Sequence, residues 1–128
     1  FKKYVSKNEK LFSKNLYMSI KDLKYLIKSK MYLGAHGFQH KHFSKLNYKE
    51  KKKEIKKNLI FLKKIGANKK NWAMCYPYGA HDNETIKILK KNNCIFGFTI
   101  KSGLNFFDKK KIFYNLKRFD ANEFVSCL

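Results

Sequence analysis

The chain has 128 residues, 44% of them hydrophobic and 16% aromatic, which is enough for one domain with a real core and excludes a disordered chain. Its formal net charge of +21 suggests a polyanion partner, but Arg118 is the only arginine and the lysines are spread throughout, so general lysine enrichment explains the charge better than a specific nucleic-acid site. The three cysteines lack C-x-x-C spacing, and no apolar run approaches the roughly 18 to 20 residues of a membrane span.

The first predicted elements are a short helix and a short strand. Ser19 can cap a helix over residues 20–30. The apolar face of this helix is formed at three- and four-residue spacing by Leu23, Leu26 and Ile27. Residues 32–35 then read as a brief buried strand. Three of the four histidines of the chain, His36, His40 and His42, begin where that strand ends.

A long amphipathic helix is predicted next. Asn47 is its cap, the helix runs over residues 48–65, and Gly66 ends it. One stripe among the lysines carries Ile55, Leu59, Leu62 and Ile65.

The second half of the chain predicts three strands and one helix. Residues 72–76 read as a strand, and the loop "YPYGAHDN" after it contains the only proline. Asp82 or Asn83 can cap a helix that ends at Lys91 and turns Ile86 and Leu89 inward. Residues 94–100 and 113–119 are the remaining strands.

Strands that alternate with helices in this way predict a parallel α/β layer. In such folds the loops at the carboxyl ends of the strands carry the functional sites. Both unusual loops, "HGFQH" and "YPYG", leave from strand ends, so we expect them to meet at one edge of the sheet.

The histidine spacing indicates a metal site but does not establish one. On a helical turn His36 and His40 would share a face about 6 Å apart, within reach of one ion. A catalytic zinc usually has three protein ligands, so the pair would supply two of them. The alternative is a pair of polar residues at a strand end. His42 is expected to be a solvated bystander.

The two loops together resemble the motifs of the polysaccharide deacetylase family, whose NodB homology domain forms carbohydrate esterase family 4. "GAHGFQHKHFSKL" is similar to the second motif, H-[S/T]-x-x-H, and "CYPYG" to the third, R-x-P-[Y/F]-G. A helix entry and the strand "FGFTI" follow the third motif as they do in the family. The resemblance runs from about Met18 to Gly103 and is nearest to a branch with A-Y-P-Y-G.

This resemblance implies a distorted (β/α) barrel and a metal-dependent hydrolase. Members remove N-acetyl, or sometimes O-acetyl, groups from sugars such as N-acetylglucosamine polymers, with a divalent metal, usually zinc. Carried over by motif, His36 and His40 are metal ligands and the backbone N–H of Tyr78 is an oxyanion donor. The substrate groove is lined by Tyr76, Pro77 and Gly79. Arg118 resembles a family Leu-x-Arg, with a surface cation as the alternative.

The chain departs from the family pattern in four places. The first motif, T-F-D-D, which carries the acidic ligand and the general base, has no counterpart before His36. Cys75 replaces the arginine of the third motif, and Gly37 replaces the hydroxyl residue of the second, which would brace the loop. No histidine follows His81, so the C-terminal L-x-x-H is missing.

We interpret the first departure as truncation, because the chain opens on Phe1 and not on Met. Residues 1–128 are therefore expected to be one partial deacetylase domain that lacks its first strand and Asp-Asp motif and is inactive alone. A non-catalytic sugar-binding homologue and a lysine-rich polyanion-binding domain are the alternatives. Both a cytoplasmic and a cell-envelope location fit.

Two smaller predictions concern residues around the second loop. Asp82 is interpreted as a helix cap and not, with His81, as a substitute acid and ligand. Four aromatic side chains could stack on sugar rings, and strand alternation predicts that two of them face the core instead. These four are Phe38, Trp72, Tyr76 and Tyr78.

Overall fold

The computed structural model describes residues 8–68, 70–106 and 113–127. The chain divides into two compact units between Tyr32 and Leu33. The first unit contains helices α1 (Glu9–Leu16) and α2 (Ile20–Lys28). Of these two helices only α2 was predicted, and it ends two residues earlier than expected.

Helix α2 begins at the predicted cap. The side chain of Ser19 accepts a hydrogen bond from the backbone N–H of Asp22 (3.2 Å), whose carboxylate accepts one from the N–H of Ser19 (2.7 Å). This reciprocal pair satisfies two donors that the first helical turn leaves open. The predicted apolar face is half-buried along its length, at Leu23, Leu26 and Ile27.

Helix α3 (Tyr48–Ile65) has the predicted bounds at both ends. Asn47 and Glu50 form a second reciprocal cap, with hydrogen bonds of 3.0 and 2.9 Å. Gly66 ends the helix with φ 84°, a left-handed conformation that glycine adopts without strain.

One face of α3 is buried, and it is more polar than predicted. Ile55, Leu62 and Ile65 lie in the core, whereas Leu59 is only half-buried. Three polar side chains are buried on this helix as well: Lys51, Glu54 and Asn58. The apolar stripe gave no sign of them, and the partners of Lys51 and Glu54 come from segments distant in sequence.

The second unit contains a three-stranded parallel sheet. Its strands are β1 (Trp72–Cys75), β2 (Cys94–Phe98) and β3 (Phe113–Leu116), in the order β1-β2-β3. Helix α4 (Asn83–Lys91) connects β1 to β2 and contacts α3. The predicted parallel α/β class is therefore confirmed, although β2 and β3 end before residues 100 and 119. The described residues form an open sheet and not a closed barrel.

The predicted strand over residues 32–35 is wrong except at its last residue. Ala35 alone forms a parallel bridge, to Met74. Its N–H donates to Ala73 O (2.8 Å) and its carbonyl accepts from Cys75 N–H (2.9 Å). Met31 and Tyr32 are more than half exposed. A strand needs a hydrogen-bonded neighbour along its length, and β1 provides one only at Ala35.

Residues 72–74 of β1 are buried in the core, and two tyrosine hydroxyls make hydrogen bonds within it. Tyr76 is fully buried and its hydroxyl donates to Tyr114 O (3.0 Å), while the Tyr114 hydroxyl donates to Cys94 O (2.6 Å). Gly97 allows this approach, because a Cβ there would collide with the Tyr76 hydroxyl.

Helix α4 contributes Leu89 to the core as predicted. It is accompanied by Ile88 and not by Ile86, which is half-buried. No helix among the described residues has the length and apolarity needed to cross a bilayer.

A buried lysine ties α3 to the start of α4. Lys51 Nζ lies 2.6 Å from Asp82 and 2.8 Å from Glu84. Burial disfavours the charge on Lys51, but the two carboxylates raise the pKa of its ammonium above the ordinary value. The prediction that Asp82 caps α4 is confirmed, since Oδ1 accepts from the N–H (2.8 Å) and the hydroxyl (2.7 Å) of Thr85.

Asp82→Asn should reduce stability at neutral pH and reduce its loss in acid. Burial alone would raise the pKa of Asp82, but hydrogen bonds from Lys51 and Thr85 lower it to about 2. A carboxylate with a lowered folded-state pKa stabilises the fold above its unfolded pKa of about 4, and this contribution is lost as pH falls towards 2. Asparagine retains the cap but not the charge. Urea unfolding from pH 7 to pH 2 would measure this, and identical pH dependence in both proteins would contradict it.

Candidate metal centre

The two predicted ligand histidines meet at the sheet edge where β1 ends. Their Nε2 atoms lie 3.1 Å apart, and both side chains are exposed. Two nitrogens that bind one zinc ion at 2.0 to 2.1 Å in a tetrahedral arrangement are about 3.3 Å apart. The spacing between His36 and His40 therefore suits two ligands of a single ion.

His36 is oriented by the neighbouring strand. A carbonyl can only accept, so the contact of 2.9 Å between His36 Nδ1 and Cys75 O is a hydrogen bond from Nδ1–H. In the neutral ring this fixes the proton on Nδ1 and leaves a lone pair on Nε2, the atom that faces His40. Ligand histidines are commonly held in this way by a backbone carbonyl. Cys75 therefore contributes through its carbonyl to the orientation of His36.

The histidine loop is an irregular turn and not the helical turn that the spacing suggested. Gly37 has φ 73° and His40 has φ 54°. A left-handed conformation is uncommon for a residue with a side chain, so His40 must be held by its surroundings. One support comes from α3, where the buried carboxylate of Glu54 accepts a hydrogen bond of 2.8 Å from Gln39 N–H.

Gly37 brings the two motif loops into direct contact. A Cβ at Gly37 would lie 2.9 Å from Pro77 Cγ and 3.3 Å from the ring of Phe43. Its φ of 73° is likewise one that glycine adopts without strain. The loop therefore gains a close approach to Pro77 in place of the bracing hydroxyl that the family pattern has here.

The second loop forms a tight turn with Tyr78 at its tip. Gly79 N–H donates to Tyr76 O (2.9 Å) and Ala80 N–H donates to Pro77 O (3.0 Å), and the Tyr78 N–H takes part in neither bond. Tyr78 has φ 57°, and its side chain is 53% exposed. The predicted oxyanion donor thus lies at the tip of a turn whose own hydrogen bonds leave it unused.

The other predicted groove residues lie mostly beneath the surface. Tyr76 and Pro77 are fully buried, so they shape the loop from below and do not present side chains to its outer face. Gly79 packs against Ile100, where a Cβ would lie 2.8 Å from Ile100 Cγ1.

Arg118 is exposed and anchored by its backbone N–H, which donates to Lys101 O (3.0 Å). Its charge acts on the thiol of Cys75: burial raises the pKa of Cys75, and Arg118 opposes that rise. The guanidinium thus acts electrostatically on the residue whose carbonyl holds His36.

Two of the four candidate sugar-stacking aromatics face the core, as predicted. Trp72 and Tyr76 are fully buried, whereas Phe38 is 49% exposed and Tyr78 53% exposed. Phe38 stands two residues after His36, and the ammonium of Lys57 lies over its ring at 4.7 Å.

His81 belongs to the support of the second loop. Its ring stacks on Tyr76 with centroids 4.1 Å apart and planes 10° apart. Its Nδ1 donates to Gly79 O (2.9 Å), and its Nε2 is in close contact with Asn115 Oδ1.

The donor set fits a divalent metal in part. Two imidazole nitrogens converge, and imidazole is a common ligand of zinc and its neighbours. Within residues 8–68, 70–106 and 113–127, no three side chains of histidine, cysteine, aspartate or glutamate lie together in a group that could hold a metal ion.

Known proteins give two matches. The sequence profile described as "Polysaccharide deacetylase" matches residues 6–96. Among solved structures, the Streptococcus pyogenes deacetylase PplD in complex with acetate is similar, with a TM-score of 0.62 and 23% sequence identity. The match covers 67% of this chain and 38% of that one, so this chain spans well under half of the solved protein. No curated protein matches the chain.

Proposed function

Because the chain belongs to the polysaccharide deacetylase family, we propose that it is part of a metal-dependent hydrolase that removes acetyl groups from a carbohydrate. The substrate that we propose is an N-acetylated sugar or polysaccharide, with O-acetyl as the variant linkage. The observation that carries the proposal is the distance of 3.1 Å between the Nε2 atoms of His36 and His40 at the carboxyl end of the sheet.

His36 and His40 would hold the metal, most simply Zn²⁺. A divalent ion at such a site polarises the acetyl carbonyl and acidifies water. Each histidine must present an unprotonated Nε2, and His36 is already arranged to do so because Cys75 O holds the proton on Nδ1. We propose that the acidic ligand and the general base come from a part of the protein outside this chain, within a complete (β/α) barrel.

Tyr78 would stabilise the negative charge that develops on the acetyl oxygen. Its backbone N–H is not consumed by the turn that it tops, and a positioned amide donor of this kind is worth about 100-fold or more in rate. Arg118 would add positive charge near the same edge. The exposed ring of Tyr78 offers an apolar face to a sugar, while Tyr76, Pro77 and Gly79 keep the turn rigid from below.

The full-length protein should contain one divalent metal and release acetate from N-acetylglucosamine oligomers. Chelation should abolish the release and added Zn²⁺ should restore it, because the histidine pair alone cannot activate water. Acetate assays on N-acetylated and O-acetylated oligosaccharides of equal length would measure both the activity and the linkage. A full-length protein with neither metal nor acetate release would overturn the proposal in favour of a non-catalytic sugar-binding homologue.

Binding of a polyanion by the exposed lysines can be distinguished from binding of an acetylated sugar at the metal centre. Polyanion binding through exposed lysines should weaken steeply as salt increases and should survive His36→Ala. Binding of the acetylated substrate through the metal centre should instead be lost in that variant.

A further inference from the structure

His42 is not the solvated bystander that its position in the loop suggested. It is half-buried, and its ring lies flat on Tyr78, with centroids 4.0 Å apart and planes 3° apart. The Tyr78 ring meets His40 at 4.8 Å and 67°, and His40 meets His36 at 4.8 Å and 69°. Four rings are therefore in continuous contact from His42 to His36.

His42 is the fixed end of this series. The next residue, Phe43, is fully buried, and a 3₁₀ turn over Phe43–Lys45 follows. Its hydrogen bonds run from Lys45 N–H to His42 O (3.1 Å) and from Leu46 N–H to Phe43 O (3.2 Å). The backbone of His42 is thus held from its carboxyl side, by the burial of Phe43 and by the hydrogen bond to its own carbonyl.

The two residues linked to His42 through ring contacts, Tyr78 and His40, are held in uncommon backbone conformations. Tyr78 and His40 both have left-handed backbones, with φ of 57° and 54°. Such conformations persist only when surrounding contacts hold them. Tyr78 is covered on one face by His42 and touched at close range by His40, so it connects the fixed ring to the candidate ligand.

We propose that His42 is a positioning residue of the metal centre. Its imidazole fixes the ring of Tyr78, and that ring holds the His40 imidazole in the orientation that turns Nε2 towards His36. The inference rests on the proposed function, since it concerns the same ion. His42 does not act as a third ligand, because no three histidine, cysteine or acidic side chains of the described residues are grouped closely enough to share an ion.

Zinc affinity of the metal-free full-length protein tests this without any assay of catalysis. His42→Ala should weaken Zn²⁺ binding by about 10- to 100-fold, the usual loss when a residue that orients a metal ligand is removed. His42→Phe keeps a flat ring without a nitrogen and should restore most of the affinity. Lys41→Ala, an exposed neighbour, should bind like the wild type. Competition with a chromophoric chelator measures the Zn²⁺ affinity of the wild type and of the three variants.

A double-mutant cycle tests the route through Tyr78. Tyr78→Ala should weaken Zn²⁺ binding as much as His42→Ala, and adding His42→Ala to it should cause no further loss, because the contact is already gone. Additive losses would overturn the inference.

The possible results distinguish the role of His42 from the proposed metal-dependent function. A wild-type protein that binds no Zn²⁺ overturns both. Binding that is lost in His36→Ala but unchanged in His42→Ala overturns the role of His42 alone, as does His42→Phe binding as weakly as His42→Ala. Should His42→Ala fail to fold, His42→Leu replaces it: leucine fills the space without a flat face, so equal affinity of the Leu and Phe variants overturns the inference.

Discussion

His40→Ala should lower the rate of acetate release by the full-length protein by more than about 100-fold, and His36→Ala should do the same. Removing a residue that merely orients a metal ligand costs about 10- to 100-fold in affinity or activity, and removing the ligand itself should cost more. The two Nε2 atoms are 3.1 Å apart, the spacing of two ligands on one ion, so each ring would supply one of the bonds to the metal. Rates at low substrate concentration and the bound metal per chain would be measured together.

Lys41→Ala is the matched control for this pair, because Lys41 is exposed and lies between His40 and His42 in the same loop. It should retain the wild-type rate and metal content. Normal metal content with lost activity in His40→Ala would show that this residue serves the reaction in another way. Normal activity in both histidine variants would refute the metal centre.

Phe43→Ala should destabilise the fold by about 3 to 5 kcal/mol, the range for deleting a fully buried aromatic side chain. Phe43 has no exposed surface, and its ring lies under Gly37, where a Cβ would be 3.3 Å away. Truncation would leave a cavity directly beneath the histidine loop. Urea unfolding followed by the fluorescence of Trp72, the only tryptophan, would give the loss in free energy of unfolding.

Phe38→Ala is the control for that experiment. Phe38 has the same side chain in the same loop but is 49% exposed, so its removal should cost less than about 1 kcal/mol. Equal losses in the two variants would mean that the loop is not anchored through Phe43.

The elements that could be predicted are those whose ends are set by local chemistry. Helix α3 was predicted at both bounds, because Asn47 and Glu50 cap it and Gly66 ends it within a few residues of chain. The strand predicted over residues 32–35 is wrong except at Ala35, because strand pairing depends on a neighbour that the sequence does not reveal. Only Ala35 has that neighbour among the described residues.

The sequence predicted that His36 and His40 could come together, as they do, but not how the chain arranges them. The spacing of His36 and His40 identified the pair, yet a loop with φ of 54° at His40 joins them, where the spacing suggested a helical turn. His42 was missed because stacking on Tyr78 joins residues 36 positions apart, and no periodicity reports such a contact. The burial of Lys51 was missed for the same reason.

The contact between Gly37 and Pro77 means that the two motif loops behave as one exchangeable part. A Cβ at position 37 would come within 2.9 Å of the Pro77 ring, so each loop is shaped to the surface of the other. A chimaera that takes the histidine loop from a relative with serine or threonine at that position would press a Cβ against Pro77 as this chain places it, so the relative's own proline turn should be transplanted with the loop. Directed evolution of this edge should therefore vary position 37 together with the residues of the proline turn, because a side chain at position 37 requires that turn to shift.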